Sequence, residues 1–236
     1  MYGYGYGFYG FDWTYMLLII GMLLSLAASA KLKSTFAKYR MVRSASGLTG
    51  AEAAARILRA AGITDVQIRA IPGNLTDHYD PRTKTVSLSQ DIYGQTSLAA
   101  VGVAAHECGH AIQHATHYAP LDLRSAIVPV SNLGSTLSWP LFLIGLLAGI
   151  RPLITVGIVL FSLAVLFQLV TLPVEINASS RALRMLESTG ILGRDETGGA
   201  RKVLTAAALT YVAALAASVL QLLRLLILAG GRRRDD

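Results

Sequence analysis

Residues 13–30, "WTYMLLIIGMLLSLAASA", carry no charged side chain. The run is close to the roughly 20 residues that a helix needs to cross a bilayer. Two more apolar runs, 133–150 and 152–172, meet at Arg151 and Pro152, which points to a transmembrane hairpin. A fourth, "KVLTAAALTYVAALAASVLQLLRLLILAGG" (202–231), is again helical in pattern. A water-soluble core cannot absorb this much apolar surface from a chain of 236 residues, 53% apolar and 15% charged. The composition therefore selects a mainly α, multi-pass membrane protein.

Charge placement agrees with that class. The net charge is +7, yet Lys31, Lys33, Lys38, Arg40 and Arg43 follow the first run, and Arg232, Arg233 and Arg234 follow the last. Basic residues at such positions meet anionic headgroups or set topology. No motif with interleaved aromatics accompanies them, so nucleic acid is excluded as a partner and the lipid bilayer is the expected one. The first run is preceded by no basic region, so it reads as a retained anchor, not a signal peptide. This orientation puts residue 31 onward in the cytoplasm. The final run is ambiguous. Its first half is Ala-rich, Gln221 and Arg224 interrupt its second half, and the basic tail beyond it opposes a span in that direction. It either spans or docks on the catalytic region. A lone cysteine, Cys108, excludes an internal disulfide.

These signals divide the chain into a Tyr/Gly-rich tail (1–12), a transmembrane helix (13–30), a cytoplasmic region (31–130), a transmembrane hairpin (131–172), a helix and loop (173–202), an apolar helix (203–231) and a tail (232–236). Within 31–130, Thr49 and Glu52 form a capping box for the helix "AEAAARILRAA", and Gly62 stops it. "VQIRAI" (66–71) alternates as a strand. "DHYDPRTKTVSLS" (77–89) reads as a hairpin turning at Asp80 and Pro81. Its return strand "TVSLS" is either an ordinary sheet strand or an edge able to pair with an extended substrate. A helix starts near Ser97 and carries "AAHECGHAIQHA". Pro173 suits the first turn of a further helix, and Gly190, Gly193, Gly198 and Gly199 mark a loop.

The histidine stretch carries the chemistry. A helix turns about 100° per residue, so His106 and His110, four apart, share one face and can aim their imidazoles at one point. Glu107, about a quarter-turn away, can reach a water held there without occupying the metal. This H-E-x-x-H arrangement is that of zinc hydrolases. The plain alternative is a membrane-edge helix whose histidines pair with backbone or carboxylates. His114 lies about 12 Å further along the helix than His106 and cannot join the same ion. Gln113 and Thr116 stand where a metzincin would have glycine and histidine. A catalytic zinc needs a third ligand. Glu175, after the hairpin, is placed for that role, or else it only stabilises a helix N-terminus. Glu187, Asp195 and Glu196 read as solvated charges.

Several separated blocks, in order, resemble the YugP-like neutral zinc metallopeptidases: "FDWTY", "GLTGAEAAARIL", "LTDHYDPRTKTVSLS", "HECGHAIQH", "LPVEINASSRAL" and "AALTYVAA". A more distant likeness is to the HtpX-like membrane proteases, whose third ligand is a Glu in an E-x-x-A-D setting. The matching residues here are Glu175, Ile176, Asn177, Ala178 and Ser179. The resemblance implies an α+β zincin-like domain with a small sheet beside transmembrane helices. It implies Zn2+ on His106, His110 and Glu175, with Glu107 as general base. It also implies a metalloendopeptidase acting on protein or peptide substrates, which the apolar runs suggest are membrane-associated. Ser179 stands where an Asp is expected to accept from a ligand imidazole, so that support is weaker in charge. His78, Tyr79, His114, Arg181 and Tyr211 are candidate oxyanion donors. A non-proteolytic membrane adaptor with a structural or vestigial zinc site is the competing class. A carboxylate base beside the metal has no use in such a scaffold.

Overall fold

A computed structural model describes residues 12–231; the Tyr/Gly-rich segment before them and the basic tail after them lie outside. In chain order, the elements are α1 (Tyr15–Arg40), α2 (Gly50–Ala60), β1 (Gln67–Ile71), β2 (His78–Asp80), β3 (Thr85–Ser89), α3 (Gln90–Tyr93), α4 (Leu98–Ala115), α5 (Ala119–Ala148), α6 (Arg151–Ser188) and α7 (Arg194–Gly231). Among the described residues, α1, α5, α6 and α7 are long and apolar enough to cross a membrane. The class is that of a mainly α, multi-pass membrane protein with a small sheet. The last apolar run, ambiguous in sequence, belongs to the helices of spanning length and composition.

Two units make up the chain, one from residues 28–128 and 169–212, the other from the remainder. The first unit is organised by local signals that the sequence carries openly. Thr49 Oγ1 accepts from the Glu52 amide at 3.2 Å, and Glu52 Oε2 accepts from the Thr49 amide at 2.8 Å, which starts α2. Gly62, at φ +72, ends it in the left-handed conformation that favours glycine. Ser97 caps α4 by accepting from the Ala100 amide at 3.2 Å. Ile57 and Leu58 of α2, Val86 and Leu88 of β3, and Val101, Ala104 and Cys108 of α4 are buried together. Each fully buried large aliphatic contributes about 1.5–3 kcal/mol.

The sheet order is β1-β3-β2, with β1 parallel and β2 antiparallel to β3. "TVSLS" is therefore the central strand, buried along its whole length. Thr85 to Ser87 have β-partners on both sides, and the Ser89 amide donates to Asp77 Oδ1 at 2.7 Å. A substrate strand cannot pair there, which removes the edge-strand reading. The reason is topological: β1 arrives from before the hairpin and covers the flank that a two-stranded hairpin would leave open.

Two boundaries also differ from the sequence reading. Pro173 does not start a helix but lies inside α6. Its missing N–H deprives only one carbonyl of an intrahelical donor, and helix remains the favoured backbone state in apolar surroundings. Gly198 and Gly199 lie inside α7, not in a loop. A Cβ at Gly199 would come within 2.8 Å of Leu98 and 3.0 Å of Tyr39, so close packing, not turning, is what glycine permits there. Glu196, read as a solvated charge, accepts from the Gly193 amide at 3.2 Å and the Ala45 amide at 2.7 Å. It anchors the start of α7, where a carboxylate also complements the helix dipole.

Candidate metal centre

The site is built where α4 and α6 approach. Gly109 makes that approach possible: a Cβ at this position would lie 2.4 Å from the Ala178 carbonyl oxygen. Any side chain would push the two helices apart. On α4, His106 and His110 stand one turn apart, their rings edge-to-face with centroids 4.8 Å apart. On α6, Glu175 is one turn before Ser179 and is buried. His106 Nε2 lies 3.2 Å and His110 Nε2 3.5 Å from Glu175 Oε2. One donor atom from each of the three residues falls within 4.8 Å of the others.

Those separations suit an ion. Ligand atoms at 2.0–2.1 Å from a tetrahedral zinc lie about 3.3 Å from one another. Two imidazoles and one carboxylate are also a donor set that zinc accepts. His106 Nδ1 is 3.1 Å from Ser179 Oγ, and His110 Nδ1 is 3.0 Å from Gln113 Oε1. Each imidazole thus has a partner on the nitrogen that faces away from Glu175.

Electrostatics follow from burial. Glu107 is buried within range of the charges of His106, His110, Glu175 and Asp77, and burial raises its pKa above the ordinary carboxylate value. Burial acts to lower the pKa of His110. The hydrogen bond to Glu175 and the charges of Glu107 and Glu175 outweigh it, and the net shift is upward. A proton there competes with a metal ion, so ion binding weakens as pH falls. Asp77 is also raised by burial, although it accepts from the Ser89 amide and hydroxyl.

His114 does not join the cluster. Its Nδ1 is 2.8 Å from the Tyr79 hydroxyl, which ties the end of α4 to β2. Burial and the charges of Asp65 and Asp80 push the Tyr79 phenol up to about 12, so it keeps its proton. Of the other oxyanion candidates, His78 bonds to the Thr76 carbonyl oxygen and Arg181 donates to Asn177 Oδ1. Tyr211 differs, since the charges of both Glu175 and Glu107 act on its phenol.

Three site residues escape sequence reasoning. Gln113 registers there only as a break in the metzincin pattern, although its position three residues after His110 places it on the same helix face. Arg124 Nη2 is 3.9 Å from Glu175 Oε1, the oxygen not shared by the histidines. Asp77 reaches the site only through the sheet. No spacing rule marks the last two, because each is brought in by a different element.

The chain belongs to the family described as "Putative neutral zinc metallopeptidase", which matches residues 14–230. It is similar to a Bacillus subtilis (strain 168) protein named "Putative membrane protease YugP". The two are 50% identical over 217 residues, covering 92% of this chain and 96% of that protein. No solved structure matches the chain.

Proposed function

We propose that this protein is a membrane-embedded zinc metalloendopeptidase that hydrolyses peptide bonds in membrane-associated proteins, with its site on the cytoplasmic side. The observation that carries this reading is the meeting of His106, His110 and Glu175 donors at zinc-compatible separations beside the buried Glu107. The similarity to a protein named as a membrane protease supports the same class of reaction. The cytoplasmic placement is supported by the basic residues that follow the first apolar run.

His106, His110 and Glu175 would hold the zinc. When bound, zinc supplies a Lewis acid that lowers the pKa of water toward about 7 and polarises a carbonyl. The remaining steps belong to the chain. Ser179 and Gln113 hold the two imidazoles in orientation. Glu107 takes a proton from the attacking water as the C–O bond forms, then delivers it to the amine as the C–N bond breaks. Its raised pKa makes it a better base than an exposed glutamate. Tyr211, on which the charges of both Glu175 and Glu107 act, is the candidate donor to the developing oxyanion.

The test is cleavage of a broad membrane-protein substrate set by protein with measured zinc content. Glu107→Gln should keep the parent's zinc stoichiometry and lose cleavage by at least about 10²-fold, the scale of general base catalysis. Full activity in that variant would remove Glu107 from the mechanism. Glu175→Ala should lower zinc content, and unchanged stoichiometry would exclude it as a ligand.

A further inference from the structure

We infer that Gln113 is a positioning residue for the metal centre: a chain of one-way hydrogen bonds through it compels His110 to present the Nε2 lone pair to the ion. The inference rests on the reading of His110 as a ligand and adds a device that enforces it.

The chain begins at Arg181, a group that can only donate. Arg181 Nε donates to Asn177 at 2.8 Å, so the atom facing it must be the amide oxygen, Oδ1. That same oxygen lies 3.0 Å from one end of the Gln113 amide, which must therefore be the nitrogen, Nε2. A second anchor gives the same answer independently. The Gln113 nitrogen is 2.8 Å from the Val174 carbonyl oxygen, a group that can only accept. With the nitrogen fixed twice over, Oε1 is the end that faces His110, at 3.0 Å from Nδ1. An amide oxygen accepts, so Nδ1 must carry the hydrogen. When His110 holds a single proton it is therefore on Nδ1, and Nε2 points its lone pair toward Glu175.

Burial makes the assignment strict. Gln113 is fully buried, so water cannot replace a lost partner, and each unmade bond would leave a polar group stranded. The same side chain also joins α4 to α6, the two helices that carry the donors, because Val174 and Asn177 flank Glu175 in sequence. His106 has no comparable constraint. Its partner, the Ser179 hydroxyl, can donate or accept and so fixes no tautomer by itself.

The experiment measures zinc affinity by chelator competition in the full-length protein in detergent, with folding checked by thermal melting. The variants are Gln113→Leu, Gln113→Glu and His110→Ala. A positioning role predicts affinity in the order parent, Gln113→Glu, Gln113→Leu. The glutamate still accepts from Nδ1–H, whereas leucine does not, and leucine should lose about 10–100-fold. A purely packing role predicts the opposite order, since a buried leucine is tolerated and a buried charge is not. Parent affinity in Gln113→Leu, or leucine binding at least as well as glutamate, overturns the inference. If the Gln113 variants do not fold, imidazole nitrogen NMR of the zinc-free parent decides: a neutral His110 protonated at Nδ1 supports the orienting chain, and one protonated at Nε2 refutes it. Parent affinity in His110→Ala would instead bring down the assignment of His110 as a ligand, separating that failure from this one.

Discussion

In the unit made of residues 12–27, 129–168 and 213–231, helices meet through glycine. A Cβ on Gly157 would lie 2.9 Å from Phe142 and from the Ser138 carbonyl, and one on Gly134 would lie 2.9 Å from the Leu160 carbonyl. The large apolar side chains there, Leu23, Leu26, Leu137 and Val159 among them, point outward. In the unit made of residues 28–128 and 169–212 the arrangement is reversed: aliphatic side chains fill an interior, and Glu107, His110, Gln113 and Glu175 are buried with it. Both units use glycine for close approach, with different consequences. Lipid replaces water as the surroundings of the first, so its contacts need only fit. In the second, close approach at Gly109 brings ionisable groups together out of water, where misplacement costs far more.

The sharpest way to break this contrast is the same small substitution on each side. Gly109→Ala should force α4 and α6 apart and reduce zinc binding by at least about 10-fold, the scale on which disturbed supports act. Gly157→Ala should lower the melting temperature while the folded fraction keeps its zinc stoichiometry. Metal analysis of both, on material that passes size exclusion, checks the pair; equal loss of zinc in the two variants would erase the distinction. A smaller effect is expected at Ser179. Because a hydroxyl offers His106 a neutral partner, Ser179→Ala should weaken zinc binding by about 10-fold or less, and Ser179→Asp should strengthen it. Chelator titration reads both directions.

The smallest effect tests the cost of burying the base. The pKa of Glu107 is raised in the fold, so the folded state holds the proton more tightly than the unfolded chain does. That stabilisation is complete below the ordinary glutamate pKa and is lost as pH rises through the raised value. At neutral pH the charged form is therefore a destabilising element. In metal-free protein, Glu107→Gln should melt about 2–4 °C higher than the parent near neutral pH, with the gap closing as pH falls. Melting curves at several pH values check this. A gap that widened toward acid would contradict the sign.

How much of this was legible in the chain differs by element. The first three apolar runs are uncharged and so legible as spans, α2 is written in Thr49, Glu52 and Gly62, and α4 in Ser97 and the spacing of His106 and His110. Pro173, Gly198 and Gly199 misled because proline and glycine have two uses each. They can end a helix, or they can sit inside one where apolar surroundings or close packing favour it, and only the neighbours tell which. The order of the sheet was similarly hidden, since a parallel partner for β3 leaves no mark in the hairpin itself.

By itself the amino-acid sequence determined a membrane protein with two histidines on one helix face and a glutamate beside them. Those properties depend on helical period and on hydrophobicity, both of which are local. Tertiary structure alone decided that Gly109 admits the Ala178 carbonyl, that Val174 and Asn177 fix the amide of Gln113, and that Arg124 comes to Glu175. These are contacts between residues distant in the chain. Their energies depend on distance and burial in three dimensions, and no one-dimensional spacing encodes either.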